Sequence, residues 1–309
     1  YEVAYDQFVL EGTKGMDNAK NRIAGKKLNV NGFTITNDLV SATISDKTGE
    51  LTSFVYKGEE MLTSPIRLDL FRAPTDNDNR DRFGSKHWYA AGLDSLTQQV
   101  KDIKVTGTGN NRVVETTVDL INSKNVKTGT SSFIYTIKKD GTLHIGATYT
   151  PDTSVVKSLA RVGITFAMPN RFNQVSYLGR GEHETYADRK QSGRIGVYET
   201  TVPAMYHAYI TPQATGNRTD TRWVNLSDEQ GRGLYINSIK PFEFSALPYS
   251  DRVIDNATHL NYLVEDGTVT VHLDAVQSGV GTATCGPGVQ ESYRVPLKTH
   301  TFEFTLQPR

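Results

Sequence analysis

The chain has 309 residues, enough for one large β domain or two ordinary ones, and it balances 34 Lys and Arg against 34 Asp and Glu. That balance leaves no global field favouring nucleic acid or an anionic membrane, and no apolar run approaches membrane-spanning length. Cys285, the single cysteine, excludes an internal disulfide framework.

In YEVAYDQFVL, Val3, Tyr5, Gln7 and Val9 fall on one face and Ala4, Asp6, Phe8 and Leu10 on the other, which predicts a strand over residues 1–10 that is apolar on both sides. The start carries neither an initiating Met nor a signal-peptide pattern. It reads as a piece of something larger and leaves the compartment, cytoplasmic or periplasmic, open. Residues 11–27, EGTKGMDNAKNRIAGKK, are rich in Gly and Lys without a period, the composition of a linker.

Residues 28–309 alternate short runs of β-formers with turn signals: NGF at Asn31, KTGE at Lys47, YKGE at Tyr56, GTGNN at Gly107, KDGT at Lys139, SDEQGRG at Ser227 and EDGT at Glu265. Turns at this spacing predict an antiparallel all-β domain. Helix is confined to one turn near Lys86 to Gly92. There is no βαβ period and no internal repeat, so periodicity leads to a large sandwich or barrel.

In FRAPTDND, Phe71 to Asp78, an apolar β-prone approach ends at Arg72 and Pro74. Pro74 fixes its own φ and extends Ala73, so Asp76, Asn77 and Asp78 are presented at a defined place. The pattern predicts an Asx turn pinned by Arg72, with Asp76 and Asp78 each satisfying backbone amides or the guanidinium. A loop ordered beside a sugar is the functional alternative. Asp76, Asp78 and Asp81 do not make a calcium loop, because counting from Asp76 the sixth position is Asp81 instead of Gly and the twelfth is His87 instead of Glu.

YLGRGEHETYADR, Tyr177 to Arg189, begins like a dinucleotide fingerprint, but Glu184 stands where its third glycine belongs and no helix follows. Its carboxylates interleave with Arg and predict ion pairs that lock a loop. His183 and Glu184 carry acid and base chemistry, which makes them candidates for sugar contact. In YITPQATGNRTDTRW, alternation places Arg218, Asp220 and Arg222 on one strand face and Trp223 on the other, a surface ladder. SGVGTATCGPGV, Ser278 to Val289, has the glycines of a loop that lets backbone approach a ligand.

FRAPTDND, with ISDKTGELTSFVYKGEEMLTSPIRLDL before it, resembles the C-terminal domain of the large β-galactosidases of glycoside hydrolase family 2, which also occurs as the small subunit of two-chain enzymes. YLGRGEHETYADR, YITPQATGNRTDTRW, FSALPYSDRVIDNATH and SGVGTATCGPGV match in the same order. The resemblance implies a β-supersandwich related to galactose mutarotase, with two broad antiparallel sheets packed face to face. It further implies that residues 1–10 are the last strand of a preceding immunoglobulin-like domain, frayed or borrowed where its partner strands are missing.

Both catalytic glutamates of the family lie on a barrel domain, so the resemblance implies no catalytic residue in this chain. The domain then completes the active-site rim and the oligomer of an enzyme that removes terminal β-D-galactose from β-galactosides such as lactose. Its partners are the barrel and immunoglobulin-like domains, the galactoside and further copies of the parent. Substrate-binding candidates are Asp76, Asn77, Asp78, His183, Glu184 and Cys285. No metal or cofactor is assigned to the chain, and Mg or Na are the candidates for the parent. Cys285 aligns where the best-known relatives place a tryptophan that stacks on sugar, and a thiol supplies no such face. Its structural alternative is a small buried filler. Glu182 replaces a usual Pro, which implies a different local turn, and Ala214 and Thr215 replace usual Glu and Asn, which weakens the case for sugar contact by the loop that carries them. Two other classes stay open: a free-standing galactose-binding or mutarotase-like module using His183 and Glu184, and a purely structural domain.

Overall fold

The computed structural model of the chain describes residues 6–8, 23–281 and 288–309. Its first strands are β1 (Asn29–Asn31), β2 (Thr34–Thr36), β3 (Val40–Ile44), β4 (Leu51–Tyr56), β5 (Glu59–Glu60) and β6 (Ser64–Asp69). After two short helices, α1 (Asp76–Arg80) and α2 (Ser85–Ala91), comes a meander of long strands. These are β7 (Thr97–Thr108), β8 (Asn111–Ile121), β9 (Lys127–Lys138) and β10 (Leu143–Pro151). The remainder is β11 (Arg161–Pro169), β12 (Gln174–Arg180), β13 (Ile195–Thr201), α3 (Val202–Met205), β14 (Arg218–Ser227), β15 (Gly233–Leu247), α4 (Asp251–Asn256), β16 (Thr268–Gln277) and β17 (His300–Pro308).

Every pairing is antiparallel, as the turn signals predict. The β4–β5 hairpin shows why: Lys57 and Gly58 both take positive φ, 50° and 82°, the geometry that a two-residue hairpin requires and that Gly adopts without cost. Along β10 the burial alternates from Leu143 through Ile145, Ala147 and Tyr149, so one face enters the core and the other looks out.

The ladders resolve into two layers. A broad one runs β7, β8, β9, β10, β17, β15, β14, β12, β13. The other runs β15, β16, β11, β6, β4, β3, β2, β1, with β5 beside β4. Strand β15 belongs to both. Its first part pairs Leu234 to Asn237 with β17, its last part pairs Glu243 to Leu247 with β16, and residues 238–241 between them join neither partner. Pro241, which has no N–H to donate, sits at that bend. Buried side chains of both layers, among them Phe133, Tyr135, Phe166, Phe244 and Phe304, form one continuous apolar cluster. Each such aromatic contributes on the order of 2–3 kcal/mol of burial.

Three expectations need correction. Asp76, Asn77 and Asp78 do not form an Asx turn; they begin α1. The Thr75 hydroxyl accepts the Asp78 N–H at 3.1 Å and the Asp78 carboxylate accepts the Thr75 N–H at 2.9 Å, a capping box in which Asp stands for the usual Glu. Among the described residues α-helix also appears at four places instead of one, and none of the four exceeds seven residues. Finally, Arg218, Asp220 and Arg222 do not share a face. Register shifts flank Thr221 and Asp220 takes φ +51°, so the alternation breaks and Arg218 turns inward with 3% exposure.

Of the predicted N-terminal strand, only residues 6–8 are described, and they carry no strand. The Gln7 side chain instead bonds both backbone groups of Ile195 at the start of β13, 2.6 Å to its N–H and 2.9 Å to its carbonyl. The rest of residues 1–10, and residues 11–22 of the predicted linker, lie outside the described residues. Among the described residues no helix is long and apolar enough to cross a membrane.

Candidate functional site

Arg72 is the centre of the arrangement. It follows β6, is completely buried, and stacks its guanidinium 5.6 Å from the Trp88 ring of α2, which itself meets Phe71 edge to face. All five of its N–H donors are used. Nε and Nη2 donate to the two oxygens of Asp78 at 3.1 and 2.8 Å, Nη1 donates to Gln277 Oε1 at 3.0 Å and the Ser278 carbonyl at 2.6 Å, and Nη2 also donates to the Gly279 carbonyl at 2.8 Å. A bidentate carboxylate pair of this kind is strong and geometrically specific. The capping box at Thr75 holds Asp78 in place, so local helix chemistry sets the position of a distant loop.

That loop is the stretch from Ser278 to Val289. Asn77 donates to the Val280 carbonyl at 2.7 Å, and the Asp188 carboxylate accepts the N–H groups of Val280 and Gly281, each at 3.0 Å. On the far side Asp81 accepts the Val289 N–H at 2.9 Å, and Arg294 Nε donates to the Val289 carbonyl at 2.8 Å. The glycines are required by these contacts. Gly281 has φ +117°, a Cβ at Gly279 would lie 2.5 Å from the Asp188 carboxyl carbon, and a Cβ at Gly288 would collide with Asp81. Residues 278–281 and 288–289 are thus tied down on both sides of 282–287. Cys285 lies outside the described residues.

The other candidates separate. Asp76 is exposed, and its backbone N–H, not its carboxylate, bonds Gln213 at 3.2 Å; it therefore does not share the anchoring role expected of it beside Asp78. Glu184 accepts from Tyr209, Arg189, the Thr215 hydroxyl at 2.8 Å and the Gly216 N–H at 2.8 Å. Burial alone would raise its pKa, but these donors together hold it below the ordinary range. His183 is exposed, with Nε2 2.8 Å from Ser192 Oγ, at a cavity of about 380 Å³ that Glu182, Glu184, His207 and Tyr209 also line. Of the ion pairs expected in this segment, Glu184–Arg189 is present, while Arg180 pairs with Asp220 of β14 and Asp188 accepts backbone N–H groups instead. No hydrogen bond among the described residues joins His183 or Glu184 directly to the Asp76–Asp78 group.

Sequence reasoning missed the connection between the two areas. Gln277, at the end of β16, accepts from Arg72 and donates to Asp274 at 3.1 Å and to Asn217 at 3.4 Å, while Asn217 donates to the Thr185 carbonyl at 2.9 Å and to Glu243 at 2.6 Å. Amides on separate strands carry no periodic signal that would pair them in advance. The roles of Asp81 and Asp188 were nearer to hand, since each stands among glycine- and Asx-rich turns that invite backbone capping.

A family model described as Beta galactosidase small chain matches residues 36–306. A beta-galactosidase of Priestia megaterium is 31% identical over the whole chain, which spans 30% of that relative, and one of Vibrio cholerae is 33% identical over 76% of the chain, which spans 23% of it. The chain is therefore similar to less than a third of the length of either. Among solved structures, an aldose epimerase homologue from C. elegans is similar over 93% of this chain and 99% of its own, at 9% identity and a TM-score of 0.49.

Proposed function

The chain belongs to the beta galactosidase small chain family, and from that premise we propose that it is the non-catalytic C-terminal domain of a larger β-galactosidase. Hydrolysis of terminal β-D-galactose from β-galactosides such as lactose is then carried out by a barrel domain, with residues 1–10 contributing to an intervening immunoglobulin-like domain and the parent assembling as a homo-oligomer. Retaining hydrolysis needs two carboxyl groups about 5 Å apart across the scissile bond. Among the described residues, the cross-strand pair Glu243 and Asp274 on β15 and β16 does not suit that role, because Asp274 is completely buried and accepts from Gln277, and Asp69, close to Asp251, is itself buried and bonded to Arg161 and His272.

The observation that carries the proposal is the double anchoring of the loop around Cys285. Arg72, Asn77 and Asp188 fix one side and Asp81 the other. Such fixing of loop backbone is what a rim contributing to a neighbouring site requires, since positioning costs entropy that must be spent before substrate arrives. Reading the domain as a free-standing galactose-binding or mutarotase-like module fits less well, because four donors hold Glu184 as an ionised acceptor in a structural cluster.

Two measurements test the proposal. The pure chain should show no turnover of a chromogenic β-galactoside, and turnover abolished by a substitution within the chain would overturn it. In the full-length parent, Asp188→Asn should raise galactoside KM several-fold while the melting temperature moves little. Unchanged kinetics in that variant would detach the loop from the site.

A further inference from the structure

Beyond the loop region, α4 and the face of β6, β11 and β16 enclose a cleft of about 540 Å³. His272 lies on its floor with a side chain 4% exposed, and its Nδ1 is 2.7 Å from Asp69 Oδ2. Asp69 Oδ2 also accepts from Arg161 Nη1 at 3.1 Å, which keeps it the acceptor of the pair, and with the proton placed on Nδ1 the Nε2 atom faces the cleft. There Nε2 stands 3.6 Å from Asp251 Oδ2. That is too long for a hydrogen bond, yet close to the separation of two ligands each about 2.1 Å from one cation.

Asp69, Asp251 and His272 each offer a ligand atom within 4.8 Å of the others. A second observation is independent of them. Thr270, two residues before His272 and hence on the same face of β16, lines the cleft at 7% exposure, and its hydroxyl has no hydrogen-bond partner among the described residues. The walls add Glu50, Asp94 and Asp255 against Arg67 and Arg252, leaving an acidic surplus that a cation would offset.

We propose that this cleft binds one divalent transition-metal cation through His272 Nε2 and the Asp251 carboxylate, with Asp69 orienting the imidazole and the Thr270 hydroxyl facing the bound ion or its water. The imidazole ligand favours Zn²⁺ or Co²⁺ over Mg²⁺.

The test uses the untagged chain, stripped with a chelator and titrated calorimetrically with Zn²⁺, with Co²⁺ absorption reporting the coordination. One saturable site is expected, with no comparable heat from Mg²⁺. Asp251→Asn should weaken Zn²⁺ at least tenfold, and His272→Gln should remove both the site and the Co²⁺ bands. Should His272→Gln fail to fold, Asp251→Asn decides alone, because Asp251 is on the surface helix. No saturable binding, equal preference for Mg²⁺, or a Zn²⁺ affinity that survives Asp251→Asn but falls in His183→Ala would each overturn the proposal.

Discussion

At the scale of single residues, Asp76 and Asp78 differ by what surrounds them, although they are neighbours of the same type. Asp78 neutralises a guanidinium that has no access to water, so Asp78→Ala leaves a buried charge uncompensated and should cost about 3 kcal/mol or more. Asp76→Ala touches an exposed side chain and should stay within about 0.5 kcal/mol. Urea denaturation of both variants checks the contrast, and equal losses would mean that Arg72 is held in some other way. Cys285→Trp probes the loop itself. An aromatic face contributes about 0.5–1.5 kcal/mol beyond its area when it stacks. In the full-length parent the variant should therefore change KM or an inhibition constant several-fold, by stacking or by clash, and unchanged constants in a folded variant would leave the loop a structural element.

At the scale of elements, the strands were legible because their turns are. Lys57–Gly58, Gly141, Gly231 and Gly267 all take the positive φ that their turn signals imply. Short helices were less legible, since α1 has five residues and is set by its cap and by Arg72 more than by any apolar period. Alternation failed at Arg218 for a different reason: a bulge changes which face follows, and composition gives no warning of it. Of the candidate site, the pairing of Asp78 with Arg72 was legible in its motif, whereas the contact of Asn77 with Val280 and the reach of Asp81 and Asp188 to Val289 and Val280 depend on tertiary approach across some 200 and 90 positions.

The opposed carboxyls of β15 and β16 give the fold a pH dependence. Burial, and then the charge of Asp274, pushes Glu243 up to about 7 from 4.5; burial, opposed by Arg161 and reinforced by Asp69, lifts Asp274 to about 6 from 3.8. The folded chain thus keeps protons that the unfolded chain releases. Their contribution to stability is complete below about pH 4 and is lost as pH rises through 6 to 7. Glu243→Gln should flatten that decline by roughly 1–3 kcal/mol between pH 5 and pH 8, each tenfold change in proton affinity being worth about 1.4 kcal/mol. Parallel pH profiles of wild type and variant, measured by urea denaturation, would remove Glu243 from this role.

At the scale of the whole molecule, β17 pairs with β10 along its length, from Leu143 against Leu306 to Tyr149 against His300, and then with β15. The broad layer is joined at its middle by the last strand of the chain. During synthesis, β7 to β10 can zip as a local meander, but the open side of β10 has no partner until about 150 further residues have been made. At 5–20 residues per second that is roughly 10–30 s of bare strand edge on the ribosome. An edge of alternating apolar residues left open that long is a template for pairing with other chains. Release of a nascent chain ending at 299 should consequently give insoluble protein, while a chain that includes β17 stays in the soluble fraction of the same lysate. Chaperone demand would then be set by how late β17 arrives, even though the finished fold hides every trace of the delay.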